Sequence, residues 1–208
     1  MFVGFSFSYD GPTHHATQDI AVMRTLPEVK ILNPCDEVTA QQAAKIAYTN
    51  TGPTFVRIDK GAFNKLYNVT DCTNGIKQMS QSSTTKIIST GFMTHKALEY
   101  KKELANKNVE VDVVDVYQIK PVPERELLSV MSEATHIYTL EENTPSGGVG
   151  TIVSELAVDN HQYVECKITR LSLEDSQVLD FGDREWLIET NGLNKNKILD
   201  IISKEKTI

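Results

Sequence analysis

The chain has 208 residues, of which 40% are hydrophobic and 24% charged, and its formal net charge is -7. These proportions are typical of globular proteins with a sizeable core, so they exclude an extensively disordered chain. The acidic balance opposes binding to a phosphate backbone, and we therefore predict no nucleic-acid partner.

Cysteine usage and the first residues bear on the compartment. Cys35, Cys72 and Cys166 are widely spaced and contain no Cys-x-x-Cys pair, which argues against a disulfide framework and against a zinc site. The apolar N-terminal stretch has no basic residues before it and breaks at Asp10-Gly11, too early for a signal peptide or a membrane span. We predict a cytoplasmic protein that makes no membrane contact.

The first predicted element is a turn over Asp10 to His15. We expect this turn to follow a strand and to precede a helix. Thr13 or Thr17 is the candidate N-cap of that helix, and Asp19 lies in its first turn, where an acidic side chain is favourable.

The periodic segments that follow alternate between helices and strands. Ala40, Ala43, Ala44 and Ala47 recur at helical spacing and define an apolar stripe. The predicted elements are, in chain order, the helix 39–49, the strands 54–58 and 86–90, the helix 95–106, the strands 109–116 and 136–140, the helix 151–158 and the strand 164–171. Strands separated by single helices require right-handed crossovers, so we predict an α/β fold with a mostly parallel, doubly wound sheet.

The stretch from 60 to 85 has the composition of a linker, because it is polar, follows neither period and ends in a Ser/Thr-rich tract. We predict a front domain over residues 1–75, a linker over 76–85 and a C-terminal domain over 86–208. The front domain holds too few elements to close a doubly wound sheet unaided. We expect a partner or a second copy to cover its apolar strand edges.

The turn near the N-terminus also contains the most reactive-looking side chains. Open α/β sheets bind their ligands at the carboxyl ends of strands. A histidine there can donate to an oxyanion or transfer a proton near neutral pH, which makes His14 and His15 candidates. The alternative is that both rings only cap nearby carbonyl groups. A metal site of His14, His15 and Asp19 is the weaker hypothesis, because adjacent residues point apart.

Several ordered motifs carry a resemblance to a known family. They are DGPTHH at 10–15, NPCD at 33–36, GPTFVR at 52–57, TLEENTPSGGVG at 139–150 and DFGDREWLIE at 180–189. In kind and order they resemble the end of the pyrimidine-binding domain and the C-terminal domain of the transketolase / 1-deoxyxylulose-5-phosphate synthase family. The resemblance implies a truncated pyrimidine-binding α/β domain, followed by a mostly parallel, doubly wound transketolase C-terminal domain.

The resemblance implies a function as well. Enzymes of this family move a two-carbon ketol unit between sugars or sugar phosphates with the help of thiamine diphosphate. By resemblance His14 stabilises the charge on the donor carbonyl oxygen, or contacts the donor's hydroxyl groups. Asp10 is assigned to a donor hydroxyl and Arg57 to a substrate phosphate. His15 is a further candidate for substrate contact.

The resemblance finally indicates parts that we expect to be supplied from elsewhere. The family's Gly-Asp-Gly metal-binding motif does not occur in this sequence, and its cofactor-activating glutamate precedes the turn at Asp10. We expect the chain alone to bind neither thiamine diphosphate nor Mg²⁺ and to be inactive until a complementary N-terminal transketolase section joins it. The alternative is a non-catalytic remnant, or a regulatory or dimerisation module that binds a protein partner or a small anion.

The run from Ser146 to Gly150 raises a separate hypothesis, a nucleotide site. Strand, glycines and helix N-terminus stand in the order that anion binding requires. Val153 replaces the third glycine of the dinucleotide-binding pattern, so we favour a tight turn with close helix packing.

Overall fold

A computed structural model of the chain describes residues 3–68, 72 and 74–204. The strands within these residues are β1 (Lys30–Leu32), β2 (Thr54–Val56), β3 (Ile76–Gln78), β4 (Thr85–Ser89), β5 (Asp112–Val116), β6 (Gln118–Lys120), β7 (His136–Leu140) and β8 (Lys167–Leu171). The α-helices are α1 (Asp19–Arg24), α2 (Glu37–Thr49), α3 (Phe92–Ala105), α4 (Glu124–Ser132), α5 (Val149–Asp159), α6 (Arg184–Thr190) and α7 (Lys195–Lys204). None of the described helices is long and apolar enough to cross a membrane.

The C-terminal half forms a five-stranded sheet in the order β3-β5-β4-β7-β8. β5, β4, β7 and β8 are parallel, and β3 pairs antiparallel with β5 at one edge. Ile87 belongs to the core cluster that contains α3, α6 and α7, whereas its neighbour Ile88 belongs to the cluster that contains α4 and α5. Helices therefore cover both faces, and the predicted mostly parallel, doubly wound sheet is confirmed.

The front half forms a smaller sheet in the order β2-β1-β6. β1 and β2 are parallel, whereas β6 comes from the C-terminal half and pairs antiparallel with β1. Ile31 and Leu32 of β1 and Ile119 of β6 are fully buried. The C-terminal half thus covers one edge of the front sheet, a role that the sequence-based prediction left to a partner or a second copy.

The turn near the N-terminus differs from its prediction. The described residues before it form an isolated bridge and a 3-10 helix instead of the expected strand, and the N-cap of α1 is Gln18, without a side-chain cap. The hydroxyl of Thr13 is bonded to the neighbouring histidine ring, and Thr17 is buried with its carbonyl bound by the C-terminal half. Asp19 lies in the first turn of α1, as predicted.

Part of the predicted linker is regular structure, because Ile76–Gln78 form β3. Upstream of β3, the carboxylate of Asp36 accepts the N–H groups of Leu66 and Tyr67, each at 2.8 Å. A strand of three residues is too short for its alternation to be recognised in the sequence. The rest of this polar stretch includes residues 69–71 and 73, which lie outside the described residues.

A buried carboxyl group lies in the middle of the five-stranded sheet. Asp115 is fully buried and accepts hydrogen bonds from the hydroxyl groups of Thr94 and Tyr67 at 2.5 and 2.7 Å. Burial raises the pKa of Asp115 from 3.8 to about 6, although both hydroxyls favour the charged form. An acid whose pKa is raised by folding contributes its full stability below pH 3.8 and loses that contribution as the pH rises through about 6.

Asp115→Asn is expected to remove this pH dependence. At about pH 8 the amide avoids the buried charge, so the free energy of unfolding should exceed that of the wild type by about 3 kcal/mol, whereas at about pH 4 the two should be nearly equal. Urea unfolding at both pH values measures the difference, with the exposed Asp180→Asn as control. A difference of equal size at both pH values would show that it does not come from the titration of Asp115.

Candidate functional site

The predicted site residues Asp10 and His14 lie on an N-terminal loop, residues 4–16, whose two ends are paired. Gly4 and Ala16 form an antiparallel bridge, with N–H to carbonyl distances of 3.1 and 2.9 Å. Inside the loop are two 3-10 helices, and Gly11 between them has a φ of 77°, a conformation that favours glycine. The N-terminal loop is therefore closed at its base by main-chain hydrogen bonds.

Asp10 and His14 each end one of the two 3-10 helices. Asp10 is exposed. His14 is half-buried, with its Nδ1 2.9 Å from the hydroxyl of Thr13 and its ring centroid 6.2 Å from that of Phe7. The loop thus presents a carboxylate and an imidazole, which can hydrogen-bond the hydroxyl and carbonyl groups of a sugar.

His15 contacts the C-terminal half. Its Nδ1 lies 3.4 Å from the carbonyl oxygen of Val178, and its ring meets Phe5 edge-on with 4.8 Å between the centroids. Its Nε2 is buried without a hydrogen-bond partner among the described residues. A substrate role for His15 stays a prediction.

Arg57 lies at the base of the N-terminal loop. It is buried, its Nε donates to Oδ2 of Asp19 at 2.6 Å, and its Nη2 lies 3.5 Å from the carbonyl oxygen of Ala16. The guanidinium therefore joins the end of β2 to the loop and to the first turn of α1. Contact with a substrate phosphate stays a prediction. It would require the guanidinium to exchange Asp19 for the phosphate.

The weaker hypothesis of a metal site finds no support in these contacts. Asp19 is paired with Arg57, and His15 is directed to the carbonyl of Val178. Over the part of the chain that the structure describes, no group of three His, Cys, Asp or Glu residues could hold a metal ion.

A carboxylate of the chain fills the glycine-rich turn before α5. Glu141 is buried, and its two oxygens accept the N–H groups of Val149 and Gly150, each at 2.9 Å. Burial raises the pKa of Glu141 to about 7, although both N–H groups favour the charged form. These contacts support the close packing that we favoured over a nucleotide site, because the N–H groups that a phosphate would need are engaged.

Sequence reasoning missed the residues that hold the N-terminal loop in place. Glu142 and Asn143 are the second and third residues after the end of β7. Glu142 accepts the N–H of Phe5 at 3.1 Å, and Asn143 donates its Nδ2 to the carbonyl of Thr17 at 3.0 Å. The available signal was the run of polar residues directly after a buried strand, since functional residues of parallel sheets collect at the carboxyl ends of strands.

A group of exposed apolar side chains lies on the N-terminal loop and on the segment attached to it. Its members, which we call the aromatic patch, are Tyr9, Leu179, Phe181 and Trp186. Their exposed fractions range from 48% to 72%. The N–H of Gly182 donates to the carbonyl of Ser8 at 3.2 Å and so attaches this segment to the loop. Groups of exposed large apolar side chains mark surfaces that contact a partner.

Two family profiles match the chain. The family described as "Transketolase, pyrimidine binding domain" matches residues 1–65, and the family described as "Transketolase, C-terminal domain" matches residues 75–198. These are the two sections that the sequence motifs resemble, in the same order.

Curated relatives agree with this assignment. A 1-deoxy-D-xylulose-5-phosphate synthase of Alkaliphilus oremlandii is 28% identical over 200 residues, which cover 94% of this chain and 32% of the relative. A subunit of the apulose-4-phosphate transketolase of Phocaeicola vulgatus is 29% identical over 198 residues, which cover 94% of this chain and 62% of the relative. The chain spans less than two thirds of the length of either relative.

Solved transketolase structures share the fold. A split-gene transketolase described as an inactive beta4 tetramer superposes with a TM-score of 0.81 at 24% identity, over 93% of this chain and 63% of that one. A transketolase mutant of Pichia stipitis superposes with a TM-score of 0.75 at 18% identity, over 98% of this chain and 29% of that one. Fold and family profiles lead to the same conclusion: the chain belongs to the transketolase family, whose enzymes depend on thiamine diphosphate, and corresponds to its C-terminal section.

Proposed function

We propose that the chain is the substrate-contacting section of a thiamine-diphosphate-dependent transferase that moves a two-carbon ketol unit between sugars or sugar phosphates. The observation that most directly supports this is the N-terminal loop. Asp10 and His14, which the family resemblance assigns to the donor sugar, lie within one short loop with paired ends.

The loop residues act by hydrogen bonding. As the donor carbonyl is attacked, negative charge develops on its oxygen, and the imidazole of His14 stabilises that charge as a donor. The carboxylate of Asp10 accepts a hydrogen bond from a donor hydroxyl. Arg57 holds the base of the loop through Asp19, and it contacts a substrate phosphate when that pair opens. Thiamine diphosphate, when bound, supplies the nucleophilic carbon.

A second polypeptide completes the site in this proposal. Relatives from Actinobacillus succinogenes and Phocaeicola vulgatus are each named as one subunit of a transketolase, which implies a further subunit in those proteins. The aromatic patch beside the N-terminal loop offers such a partner a surface. The family's Gly-Asp-Gly metal-binding motif does not occur in this sequence, so the proposal assigns Mg²⁺ and the diphosphate to the partner. Association of two or more copies of the chain belongs to the same proposal.

We also propose the division into a front domain over 1–75 and a C-terminal domain over 86–208. The two family profiles support a division into two domains, because one ends at residue 65 and the other begins at residue 75. The second profile includes β3, which pairs with β5, so part of the predicted linker goes with the C-terminal domain. The pairing of β6 with β1 means that the two domains share a sheet.

Calorimetry tests the proposed function. Thiamine diphosphate with Mg²⁺ is titrated into the purified chain alone and into the complex isolated from its own cells through an affinity tag on this chain. We expect saturable binding, and ketol transfer from a ketose phosphate, only with the complex. Tight binding by the isolated chain would contradict the assignment of the cofactor to a partner. A chain isolated without any partner and without a thiamine diphosphate response would favour the non-catalytic alternative.

A further inference from the structure

We infer that Glu142 and Asn143, at the carboxyl end of β7, position the N-terminal loop and thereby set the placement of Asp10 and His14. The inference deepens the proposed function, and only its catalytic consequence rests on that function. The contacts that carry it join the C-terminal half to both ends of the loop.

Glu142 holds the start of the loop. Its Oε1 accepts the N–H of Phe5 at 3.1 Å, and the residue is 5% exposed. A Cβ on Gly4 would lie 2.1 Å from Oε2 of the same carboxylate, and the φ of 48° at Gly4 also favours glycine. The main chain can therefore approach Glu142 this closely only because position 4 has no side chain.

Asn143 holds Thr17, the residue that directly follows the loop. Its Nδ2 donates to the carbonyl of Thr17 at 3.0 Å and lies 3.4 Å from Oδ1 of Asp19, and the residue is 3% exposed. The N–H of Thr144 donates to the same carbonyl at 3.0 Å. Because Asp19 is also paired with Arg57, the end of the loop is fixed from two sides.

Arg184 in turn fixes the side chain of Glu142. Its Nε and Nη2 donate to the two oxygens of Glu142 at 2.9 and 2.6 Å, and its Nη1 and Nη2 donate to Asp59 at 2.9 and 2.7 Å. Its guanidinium carbon lies 3.8 Å from the ring centroid of Phe92. Burial disfavours the charge, but the two carboxylates hold the pKa of Arg184 above its ordinary value. Because the planar guanidinium of Arg184 is bound to both carboxylates, it restricts the side chain of Glu142 to a single orientation.

These contacts act on placement and not on the chemical step. Glu142 and Asn143 are both buried, and both reach the main chain at the ends of the loop. A misplacement of about 1 Å in a substrate-contacting group can lower a rate about 100-fold. We therefore describe Glu142 and Asn143 as positioning residues for the proposed reaction.

Two variants each remove one of the two side-chain contacts to the loop. Glu142→Met has a side chain of similar volume but no acceptor for the N–H of Phe5, and it leaves Arg184 paired with Asp59. Asn143→Ala leaves the carbonyl of Thr17 with a main-chain donor. Neither variant therefore leaves an unpaired buried charge or an unsatisfied carbonyl at these positions.

Hydrogen exchange in the full chain tests the positioning without any activity assay. In both variants the amides of residues 5–16 should exchange about tenfold faster, the effect of losing one buried hydrogen bond. The amides of β4, β5 and β7 should keep their wild-type rates. Glu133→Met, at an exposed position, is the matched control and should change neither group.

Kinetics in the complex test the catalytic consequence. Glu142→Met should raise the donor KM and lower kcat/KM about 100-fold. The thiamine diphosphate concentration that gives half-maximal rate should not change, because the cofactor is assigned to the partner. A variant that merely weakened the complex would shift that concentration as well.

The possible results distinguish the positioning of the loop from the proposed function. Unchanged exchange of the loop in both variants, or an equal increase across β4, β5 and β7, overturns the positioning. An active complex in which Glu142→Met keeps the wild-type kcat/KM overturns the catalytic consequence of the positioning. A wild-type complex without ketol transfer refutes the proposed function instead, and the exchange result still decides whether Glu142 and Asn143 position the loop.

Discussion

Replacing His14 with alanine is expected to lower kcat of the complex about 100- to 1,000-fold, because the ring is assigned as the donor to the oxygen that gains charge during transfer. An interaction that strengthens only in the transition state affects kcat more than KM. The ring is half-buried, so the free energy of unfolding should change by less than about 1 kcal/mol. Steady-state rates at saturating ketose phosphate measure the effect.

His161→Ala is the matched control for this experiment. His161 is exposed just after α5, and its Nδ1 lies 3.3 Å from the carbonyl oxygen of Val158. We expect wild-type kcat and KM for this variant. A complex carrying His14→Ala that keeps the wild-type kcat would show that the His14 ring is not the oxyanion donor.

Much of the C-terminal sheet could be predicted because its strands are long and apolar. The strands observed at 85–89, 112–116 and 136–140 are buried at every position, and their β-branched runs indicated strands without any tertiary information. The alanine stripe likewise predicted a helix over 39–49, and the observed helix begins two residues earlier, at Glu37.

The strands β1, β3 and β6 could not be predicted in this way. β1, β3 and β6 have three residues each, so none of them completes two periods of alternation. Ile119 of β6 is buried because β1 lies beside it, a pairing across a long stretch of chain. Sequence periodicity reports which face of an element is apolar, but it does not report the element's partner.

The site residues show the same difference between local patterns and contacts that are distant in the sequence. Asp10 and His14 could be proposed as candidates because a turn with reactive side chains is a local pattern. The internal partner of Arg57 could not, because Asp19 lies 38 residues away in the sequence. Arg57, which we predicted to bind substrate, is buried in this ion pair. Its observed contacts are with Asp19 and with the base of the loop.

Gly148→Ala is expected to destabilise the chain strongly, because position 148 has no room for a side chain. A Cβ at this position would lie 1.7 Å from Oε2 of Glu141, so the carboxylate must leave the N–H groups of Val149 and Gly150. Overpacking costs about 1–3 kcal/mol. Each buried donor left without a partner costs about 1–3 kcal/mol more. We expect the free energy of unfolding, measured in urea, to fall by about 4 kcal/mol or more.

Gly52→Ala is the control that separates this clash from a general effect of losing a glycine. A Cβ on Gly52 would lie 3.6 Å from the carbonyl oxygen of Glu28, an ordinary contact, so this variant should stay within about 1 kcal/mol of the wild type. If Gly148→Ala were equally stable, Glu141 would not occupy the start of α5 in solution. The N–H groups of Val149 and Gly150 would then be open to an external anion, and titration with inorganic phosphate would detect binding that the present contacts exclude.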